Sequence, residues 1–504
     1  MPSQTLTIGR RGLLRAAGLA GAAVATGVGV PSAAGAATSF AHPGMLHTAA
    51  DFARIKTKLA ASDATVTAGL QRLTANGRSQ STWRPRPVTT VVRGGAGQNY
   101  VQFYLDVHAA YQNALRWRIT GETAHADTAR DILNAWTGML TAVNGNADRF
   151  LAAGIYGYQF ANAAELMRGY DGFDVARAQD MLKRVFYPVN DSFLVKHNDA
   201  CISNYWANWD LCTMASVMAI GILCDDRAMF DRAVDYFKTG AGNGAIKNAV
   251  PFLYDGGLGQ WQESGRDQGH TVMGIGLMST ICEMAHNQGV DLYGFDNNRF
   301  LAGAEYVARY NLGKDVPFTT YQWGTGQNCA RREQTVISGG SRGQMRPVWE
   351  MVYNHYVQRQ GLSAPNVTAM AAQARAEGGG GDYGPNSGGY DQLGFGTLLF
   401  TRDRTASATP SSSPTPVSKS RTVYVNPAGG AQPTSSLGSA IPPVHRGGGA
   451  PAGPFDLAAQ RAGEGGAGAI AGLAGGIALV TAGAATLAVR LRRRRAQQSG
   501  GPTS

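Results

Sequence analysis

The chain has 504 residues, of which 44% are hydrophobic and 16% are charged, and its formal net charge is +11. Most of this charge lies at the ends, since residues 1–36 hold three Arg and no acid, and residues 405–504 hold nine basic against two acidic residues. The intervening residues 37–404 are nearly neutral, which argues against a nucleic-acid partner or any other partner selected by overall charge. An anionic ligand would have to be recognised by a local cluster.

The first 36 residues have the pattern of a secretory signal peptide. Arg10-Arg11 is followed by Leu13-Leu14, a run of small apolar residues extends to Val30, and Ala34-Gly35-Ala36 fits a cleavage site. The paired arginines resemble a twin-arginine signal, which exports folded proteins. We therefore expect the mature chain to begin near Ala37.

Residues 37–404 predict one mainly helical unit. Apolar periodicity bounded by Gly, Asp or Asn turns predicts helices over Tyr100–Ile119, Ala126–Leu140, Phe150–Arg168, Val175–Phe186, Asn208–Leu223, Arg227–Thr239, Thr271–Gln288, Arg299–Leu312 and Arg346–Gln360. Short turns between neighbouring helices indicate stacked helical hairpins. The hairpins recur without a sequence repeat, which favours a closed (α/α) toroid over an open solenoid. The helical pattern breaks between residues 313 and 345, and Gly394–Phe400 is predicted to be a closing strand.

The segment Ser203–Asp210 interleaves aromatic and amide side chains at the start of a predicted helix. Tyr and Trp rings stack on sugar rings, and Asn amides bind hydroxyl and carboxylate groups. This composition favours a carbohydrate site, with Asn208 as its most informative polar residue.

A second segment, Gly259–Thr271, concentrates charged and amide residues just before an apolar helix. If the helix began here, Glu263, Arg266 and His270 would share one face, at positions i, i+3 and i+7. A general base beside a cation and a carboxylate is what proton abstraction next to an anionic group requires.

Helix capping is the structural alternative for both segments. Ser264 or Asp267 could cap the second helix, and Asn208 or Asp210 could cap the first while the tryptophans fill the core. The density of polar groups favours a functional role, because one cap would need only one of them.

Together the two segments resemble the alginate-lyase-like polysaccharide lyases of the α/α-toroid type, over roughly residues 45–404. Those enzymes cleave uronic-acid polymers by β-elimination. The resemblance implies that Asn208, helped by Arg266, neutralises the sugar carboxylate and that His270 removes the C5 proton. It implies no redox cofactor and no metal, although a structural metal is left open.

Two departures from the family pattern leave the catalytic acid unassigned. Many alginate lyases carry Asn-Asn-His in the first motif, which Asn208-Trp209-Asp210 lacks, and the Tyr expected near His270 is absent before Tyr293. The predicted catalytic residues are His270, Asn208, Arg266 and Tyr205, and the predicted substrate-binding residues are Glu263, Gln260, Asn204 and Trp206. Further candidates for the acid are Tyr156, Tyr158 and Tyr321.

Two other functions compete with the lyase. A glycoside hydrolase on the same toroid would use two opposed carboxylates, for which the candidates are Glu263, Asp267, Asp210 and Asp255. A non-catalytic surface protein that binds glycans is the second alternative. The His and Arg beside the carboxylates favour elimination over both. The partner is then an anionic polysaccharide, bound by a monomer.

The five cysteines show no metal-ligand spacing. Cys212, Cys224 and Cys282 lie in apolar helical contexts and are predicted to be buried thiols. An oxidising compartment allows one or two disulfides, with their pairing open.

The C-terminal hundred residues predict an anchor. Residues 405–464 are rich in Ser, Pro and Gly, which is typical of a disordered linker. Residues 465–489 form an uncharged run long enough to cross a bilayer, and residues 490–504 open with an Arg cluster typical of a cytoplasmic tail. A disordered Gly/Ala tail is the alternative. We expect an extracellular enzyme anchored in the cell membrane by this single helix.

Overall fold

A computed structural model of the chain describes residues 39–383 and 390–405, and these residues are mainly helical. The predicted signal peptide, almost all of the linker, the membrane span at 465–489 and the basic tail lie outside the described residues. Within the described part, no helix combines the length and the apolar character that crossing a membrane requires.

The described helices follow the predicted order, and the structure adds unpredicted helices over Ala49–Ala60, Ala64–Ala75, Tyr187–Lys196 and Pro365–Ala374 as well as shorter ones. In chain order, the described helices are α1 Ala49–Ala60, α2 Ala64–Ala75, α3 Tyr100–Thr120, α4 Thr123–Met139, α5 Arg149–Leu151, α6 Gly157–Met167, α7 Val175–Met181, α8 Tyr187–Lys196, α9 Ala207–Leu223, α10 Arg227–Thr239, α11 Ile246–Ala249, α12 Gln268–Asn287, α13 Phe295–Asn311, α14 Trp349–Tyr353, α15 Pro365–Ala374 and α16 Gly396–Phe400. Wider π-helical turns join α5 to α6, join α7 to α8 and extend α14 to Arg359.

Short two-stranded ribbons connect the helices. The strands are β1 Thr90–Arg93, β2 Ala142–Gly145, β3 Phe252–Tyr254, β4 Leu258–Gln260, β5 Tyr321–Thr325 and β6 Ala330–Gln334. β1 runs parallel to β2, whereas β3–β4 and β5–β6 are antiparallel hairpins. The β5–β6 hairpin occupies the region where the helical pattern of the sequence breaks.

Burial follows the apolar pattern of each helix. In α10, Phe230, Ala233, Val234 and Phe237 recur at helical spacing and face the core, and Asp226 caps the first turn through the backbone N–H of Met229. By contrast, α9 and α12 are buried on nearly all sides and pack against each other. These two central helices carry the two polar segments that the sequence singles out.

The first and last helices close the fold. α16 packs against α1 and α2, and the Arg54 guanidinium donates to the carbonyl oxygens of Leu399 (2.8 Å) and Thr401 (3.1 Å). The predicted closing strand at Gly394–Phe400 is wrong, because this segment forms a helix from Gly396. It has one β-branched residue, and a helix buries its Leu and Phe side chains against two other helices.

One disulfide, Cys201–Cys329, ties the chain ahead of α9 to the β5–β6 hairpin. Cys212 and Cys282 are buried free thiols as predicted, whereas Cys224 is only partly buried. Burial raises the pKa of Cys212 to about 12, so this thiol is unreactive at neutral pH.

Candidate active site

The polar run before α12 forms turns and not the first turns of that helix. α12 begins at Gln268, so Glu263 and Arg266 precede it, and the expected helical face is wrong. Asp267 is the N-cap and accepts from the His270 backbone N–H at 2.8 Å, whereas the Ser264 hydroxyl has no described partner. The helix begins here because the Asp267 side chain accepts from an N–H of the first turn that has no partner within the helix.

Backbone hydrogen bonds hold these turns against neighbouring segments. The N–H of Gln268 donates to Gly340 O (2.8 Å), and the N–H of Ser338 donates to Ser264 O (2.9 Å). On the opposite side, the N–H of Gln262 donates to Ala249 O (2.8 Å). The turns are therefore fixed without regular secondary structure.

Glu263 is the buried centre of the cluster. Its carboxylate accepts from the Asn208 side-chain Nδ2 at 2.9 Å to each oxygen, from the Asn208 backbone N–H (3.0 Å) and from Arg266 Nη1 (2.9 Å). The Glu263 side chain has no solvent exposure, whereas the Arg266 side chain is 15% exposed. Glu263 was predicted to bind substrate, but its position makes it the group that joins α9 to the turn before α12. The side-chain amide and the backbone N–H of Asn208 both donate to this carboxylate.

His270 lies between a carboxylate and a guanidinium. Its Nδ1 is 2.7 Å from Asp267 Oδ2, and its Nε2 is 3.2 Å from Arg266 Nη2. Arginine only donates, so Nε2 must be the accepting nitrogen and Nδ1 must carry the proton that goes to Asp267. The neutral ring thus has its lone pair on the side of Arg266, and 21% of the side chain is exposed.

The charges around Asp267 favour its ionised form. Burial alone would raise the pKa of this carboxyl group, but the charge and hydrogen bond of His270, together with the charge of Arg266, hold the pKa below its usual value. Asp267 is therefore an anion that orients the imidazole and stabilises it when it takes up a proton.

Two tryptophans border the cationic side of the site. The Arg266 guanidinium lies 5.2 Å from the centre of the Trp206 ring, and Trp206 contacts Trp323 of β5 at 5.1 Å between ring centres. Both indole N–H groups lack a hydrogen-bond partner among the described residues. Trp206 is thus placed where the sequence predicts it, beside Arg266.

Other predicted residues are engaged elsewhere. The Tyr205 hydroxyl accepts from Asn198 Nδ2 (2.9 Å), and its ring packs on Phe193 and Trp209. The Asn204 side chain accepts from the Gly326 N–H (2.7 Å).

Gln260 is likewise engaged, because its amide binds Tyr254 and Thr319. No described contact joins Tyr205, Asn204 or Gln260 to His270. The capping alternative is confirmed for Asp267 in the second segment but is wrong for the first, because neither Asn208 nor Asp210 caps α9. Asp210 instead accepts from Tyr236 and the Gly244 N–H and pairs with His197.

Arg93 and Tyr156 form a pair that the sequence analysis did not bring together. Arg93 of β1 donates to the Tyr156 hydroxyl (3.1 Å), and its guanidinium lies over the Tyr100 and Tyr156 rings. Burial raises the pKa of Tyr156, against the opposing charge of Arg93. Tyr156 was only a reserve candidate for the acid, and no local signal links it to an Arg 63 residues earlier.

A buried ion pair lies within electrostatic range of both His270 and Arg93. Asp391 pairs with Arg346, and burial raises the pKa of Asp391 although the charges of Arg346, His270 and Arg93 all oppose that rise. The charge of Asp391 in turn helps to raise the pKa of Tyr156. His270, Arg93 and Tyr156 therefore lie within electrostatic range of one carboxyl group.

The other two candidates for the acid, Tyr158 and Tyr321, form hydrogen bonds within the fold. The fully buried Tyr158 hydroxyl donates to Asp391 O (2.6 Å), and the Tyr321 hydroxyl donates to Asn243 Oδ1 (3.1 Å).

The family model of alginate lyases matches residues 50–317, which is more than half of the chain. A mainly helical chain that matches this family model over residues 50–317 is a polysaccharide lyase. It belongs to the alginate lyase family. No curated protein matched the chain.

Solved structures with similarity to the chain include other alginate lyases. One from Bacteroides ovatus is 11% identical, covers 71% of this chain and 99% of its own, and has a TM-score of 0.46. Alginate lyase A1-III from Sphingomonas species A1 is 15% identical, covers 67% of this chain and 94% of its own, and has a TM-score of 0.41. A variant of A1-III complexed with tetrasaccharide is 17% identical, with coverage of 47% and 74% and a TM-score of 0.34.

Proposed function

We propose that the chain cleaves a uronic-acid polymer of the alginate or glucuronan type by β-elimination, with His270 as the base. The observation that carries this proposal is the Nε2 lone pair of His270, 3.2 Å from Arg266 Nη2, on a partly exposed ring whose Nδ1 is held by Asp267. An imidazole fixed in this tautomer can accept a proton at Nε2 once a substrate carboxylate draws the Arg266 N–H away from that nitrogen.

Arg266 supplies the charge that the reaction needs. The C5 proton of a uronate becomes acidic only when the neighbouring carboxylate is neutralised, and a preorganised donor to that group is worth on the order of 3 kcal/mol. Arg266 Nη2 lies beside His270 Nε2, while Arg266 Nη1 donates to the Glu263 carboxylate. We assign Asn208 the role of fixing Glu263, and through it Arg266, because its N–H groups donate to that carboxylate.

Among the candidate tyrosines, Tyr156 suits the role of catalytic acid best, because it is buried beside the Arg93 guanidinium. After C5 deprotonation, the C4–O bond breaks and the leaving oxygen needs a proton. A phenol whose pKa is raised by burial keeps that proton at neutral pH, and Arg93 stabilises the phenolate that remains after transfer. Tyr205 lacks such a cationic hydrogen-bond donor, because its hydroxyl accepts from Asn198.

We also propose that the helices form a closed (α/α) toroid. Antiparallel neighbours such as α3–α4 and α9–α10 pack as hairpins, and α16 packs against α1 and α2. A ring closed in this way would leave α9 and α12 in the middle, with the polar turns at one end as the wall of a cleft.

The experiment is a screen of alginate, glucuronan, hyaluronan, chondroitin and pectate with ultraviolet detection. Elimination leaves a conjugated C4–C5 double bond that absorbs, whereas hydrolysis cannot produce it. A rising absorbance on alginate or glucuronan supports the proposal. Chain cleavage without absorbance would support a glycoside hydrolase, and binding without cleavage would support a glycan-binding protein.

The positions of the carboxylates favour the lyase over the hydrolase. Glu263 and Asp210 are held by ion pairs and hydrogen bonds, so neither carboxylate is free to act on a glycosidic bond. Asp255 is exposed, with no described contact to Glu263 or Asp267. Asp267 is engaged by His270. Two opposed and accessible carboxylates are what a hydrolase would require.

We also propose that the enzyme acts outside the cell, exported by a twin-arginine-like signal and anchored by residues 465–489. The apolar run and the Arg cluster after it support this location. Cell fractionation with an antibody against residues 37–404 tests it. Recovery of the intact chain in the culture medium would contradict the anchor.

A further inference from the structure

An open groove of about 390 Å³ lies on the segment between α2 and α3, and its lining includes Trp83, Arg84 and Arg86. Its other lining residues are Gly77, Gln80 and Thr82, so no acidic side chain faces it. A volume of this size is within the range of small-molecule sites in proteins. The groove plays no part in the chemistry described above.

The segment is rigid although it has little regular structure. Side chains of α3 and α4 bind its backbone carbonyl groups: Asn113 Nδ2 donates to Arg78 O (3.0 Å), and Thr128 Oγ1 donates to Ser81 O (2.6 Å). Prolines on both sides of Arg86 fix the backbone dihedral angles there. A loop held by so many side-chain bonds presents its outward groups in a fixed arrangement.

Trp83 is anchored at its polar edge. The indole N–H donates to Asp106 Oδ1 (2.9 Å), and the Arg86 backbone N–H donates to Asp106 Oδ2 (2.7 Å), which also accepts from Trp136. Asp106 is fully buried, so its carboxylate is committed to these bonds. These bonds to the buried Asp106 therefore fix the orientation of the Trp83 ring, and part of the ring lines the groove.

Exposure alternates along the segment, as it does along an extended chain. Thr82, Arg84 and Arg86 are exposed, whereas Trp83 between them is only partly exposed. The Arg84 guanidinium binds only the carbonyl oxygens of Ser81 and Trp83, and neither Arg84 nor Arg86 forms an ion pair with a described residue. Two unneutralised guanidinium groups thus flank an aromatic ring in an otherwise nearly neutral domain.

The groove-lining residues are distinct from those of the catalytic cluster. The segment binds the side of α3 that carries Asp106 and Asn113. Its Arg78, which does not line the groove, lies 5.0 Å from the centre of the Tyr390 ring, and Tyr390 in turn packs on Tyr104 and His108 of α3. No described contact joins the groove to Arg266 or His270.

We propose that the groove is a second, non-catalytic binding site for the uronate polymer, with a pyranose ring against Trp83 and carboxylates on Arg84 and Arg86. Aromatic faces pack on sugar rings, and guanidinium groups bind carboxylates in a planar, two-point manner. A site of this kind holds the polymer near the enzyme while the catalytic site acts on another stretch. The choice of a uronate rests on the proposed function.

The test is affinity electrophoresis of the full-length protein in neutral detergent, in native gels with and without alginate or glucuronan. All variants carry His270→Ala so that the polymer is not degraded. Arg84→Glu with Arg86→Glu should weaken retardation by the polymer about tenfold or more, since each lost charge-assisted bond is worth roughly 1.5 kcal/mol or more. The matched control, Lys56→Glu with Lys247→Glu, changes the same charge at exposed sites elsewhere and should migrate like its parent.

Three outcomes would overturn the site: unchanged retardation of the Arg84/Arg86 variant, equal loss in the control, or retardation by dextran sulfate but by neither uronate polymer. A Trp83→Phe variant keeps an aromatic ring and should bind more weakly than its parent but more strongly than the double Arg variant. Failure of the lyase assay on every polymer would reject the proposed activity and leave the electrophoresis result to decide the groove separately.

Discussion

Two carboxylates at helix N-termini behave in opposite ways. Asp267 accepts from the N–H of His270 at the start of α12, and its neighbours lower its pKa. Glu377 accepts from the N–H groups of Trp349 (2.8 Å) and Glu350 (3.1 Å) at the start of α14, yet its pKa is raised well above the usual value. The backbone donors are similar, so they do not decide the charge state.

The difference lies in what else surrounds each group. Asp267 has a histidine and a guanidinium beside it and partial contact with solvent. Glu377 is completely buried, its Oε2 has no partner among the described residues, and the carboxyl group of Glu350 acts on it more strongly than the opposing charge of Arg375. A helix N-terminus thus favours the ionised form of a carboxyl group only where a counter-charge or water offsets desolvation. The surroundings of Asp267 favour the carboxylate, and those of Glu377 favour the protonated acid.

The largest effect is expected at the base. His270→Ala should lower turnover by about 100- to 10,000-fold, the usual range for loss of a general base. Binding of the polymer should persist, because Arg266 and Trp206 remain. Initial rates of ultraviolet absorbance and gel retardation measure the two quantities. Near wild-type rates in a folded variant would transfer the base to another residue.

Glu263→Gln should destabilise the fold by roughly 3 kcal/mol, because it removes the buried anion to which Asn208 and Arg266 donate. The free energy of unfolding from denaturant titration measures this loss. The exposed Glu333→Gln on β6 is the matched control and should stay within about 0.5 kcal/mol of wild type. Equal stability of both variants would show that Glu263 is not the anchor of the cluster.

Asp267→Asn should lower turnover on the order of 100-fold, because the amide no longer enforces the tautomer and position of His270. It should also change the pH dependence of stability. The pKa of Asp267 is lowered in the fold, so its stabilising contribution is present above the ordinary value of about 3.9 and is lost as pH falls. The stability gap between wild type and variant should therefore narrow below about pH 4. A constant gap would contradict the ionised pair.

The smallest effect is expected at Glu377. Glu377→Gln should change the free energy of unfolding by about 1 kcal/mol or less at low pH, because glutamine resembles the protonated acid in shape. The raised pKa means that the wild-type group contributes most below about 4.3 and loses that contribution as pH rises through its folded value. The variant should thus gain stability relative to wild type as pH rises above about 4. A relative loss would mean that Glu377 is ionised.

Much of the helical order was predictable. The bounds of α10 match the prediction at both ends, because an Asp cap, a 3.6-residue apolar pattern and a following Gly all agree. α3 and α9 match to within one residue at each end. The strand prediction at Gly394–Phe400 was wrong because a seven-residue segment with four large apolar side chains carries no period that separates strand from helix.

The candidate site was predictable only in part. The bonds that link Asn208, Glu263, Arg266 and His270 involve residues that the sequence singles out by their polarity. Their geometry did not follow, because Glu263 and Arg266 lie in turns fixed by distant backbone groups. Tyr156 and Arg93 were missed as a pair, since each looks ordinary in its own segment and only the packing of β1 against the helices brings them together.

The contact between the first and last helices has a consequence for how the chain folds. The bond from Arg54 to Leu399 O spans 345 residues, whereas helix pairs such as α3 and α4 meet across a short turn. Closure entropy makes contacts between distant parts of a chain slow to form, so we expect local hairpins to appear first and the seam between α1, α2 and α16 to form last. A circular permutant that joins residue 405 to residue 39 and opens an exposed turn elsewhere would make this seam local and should fold faster.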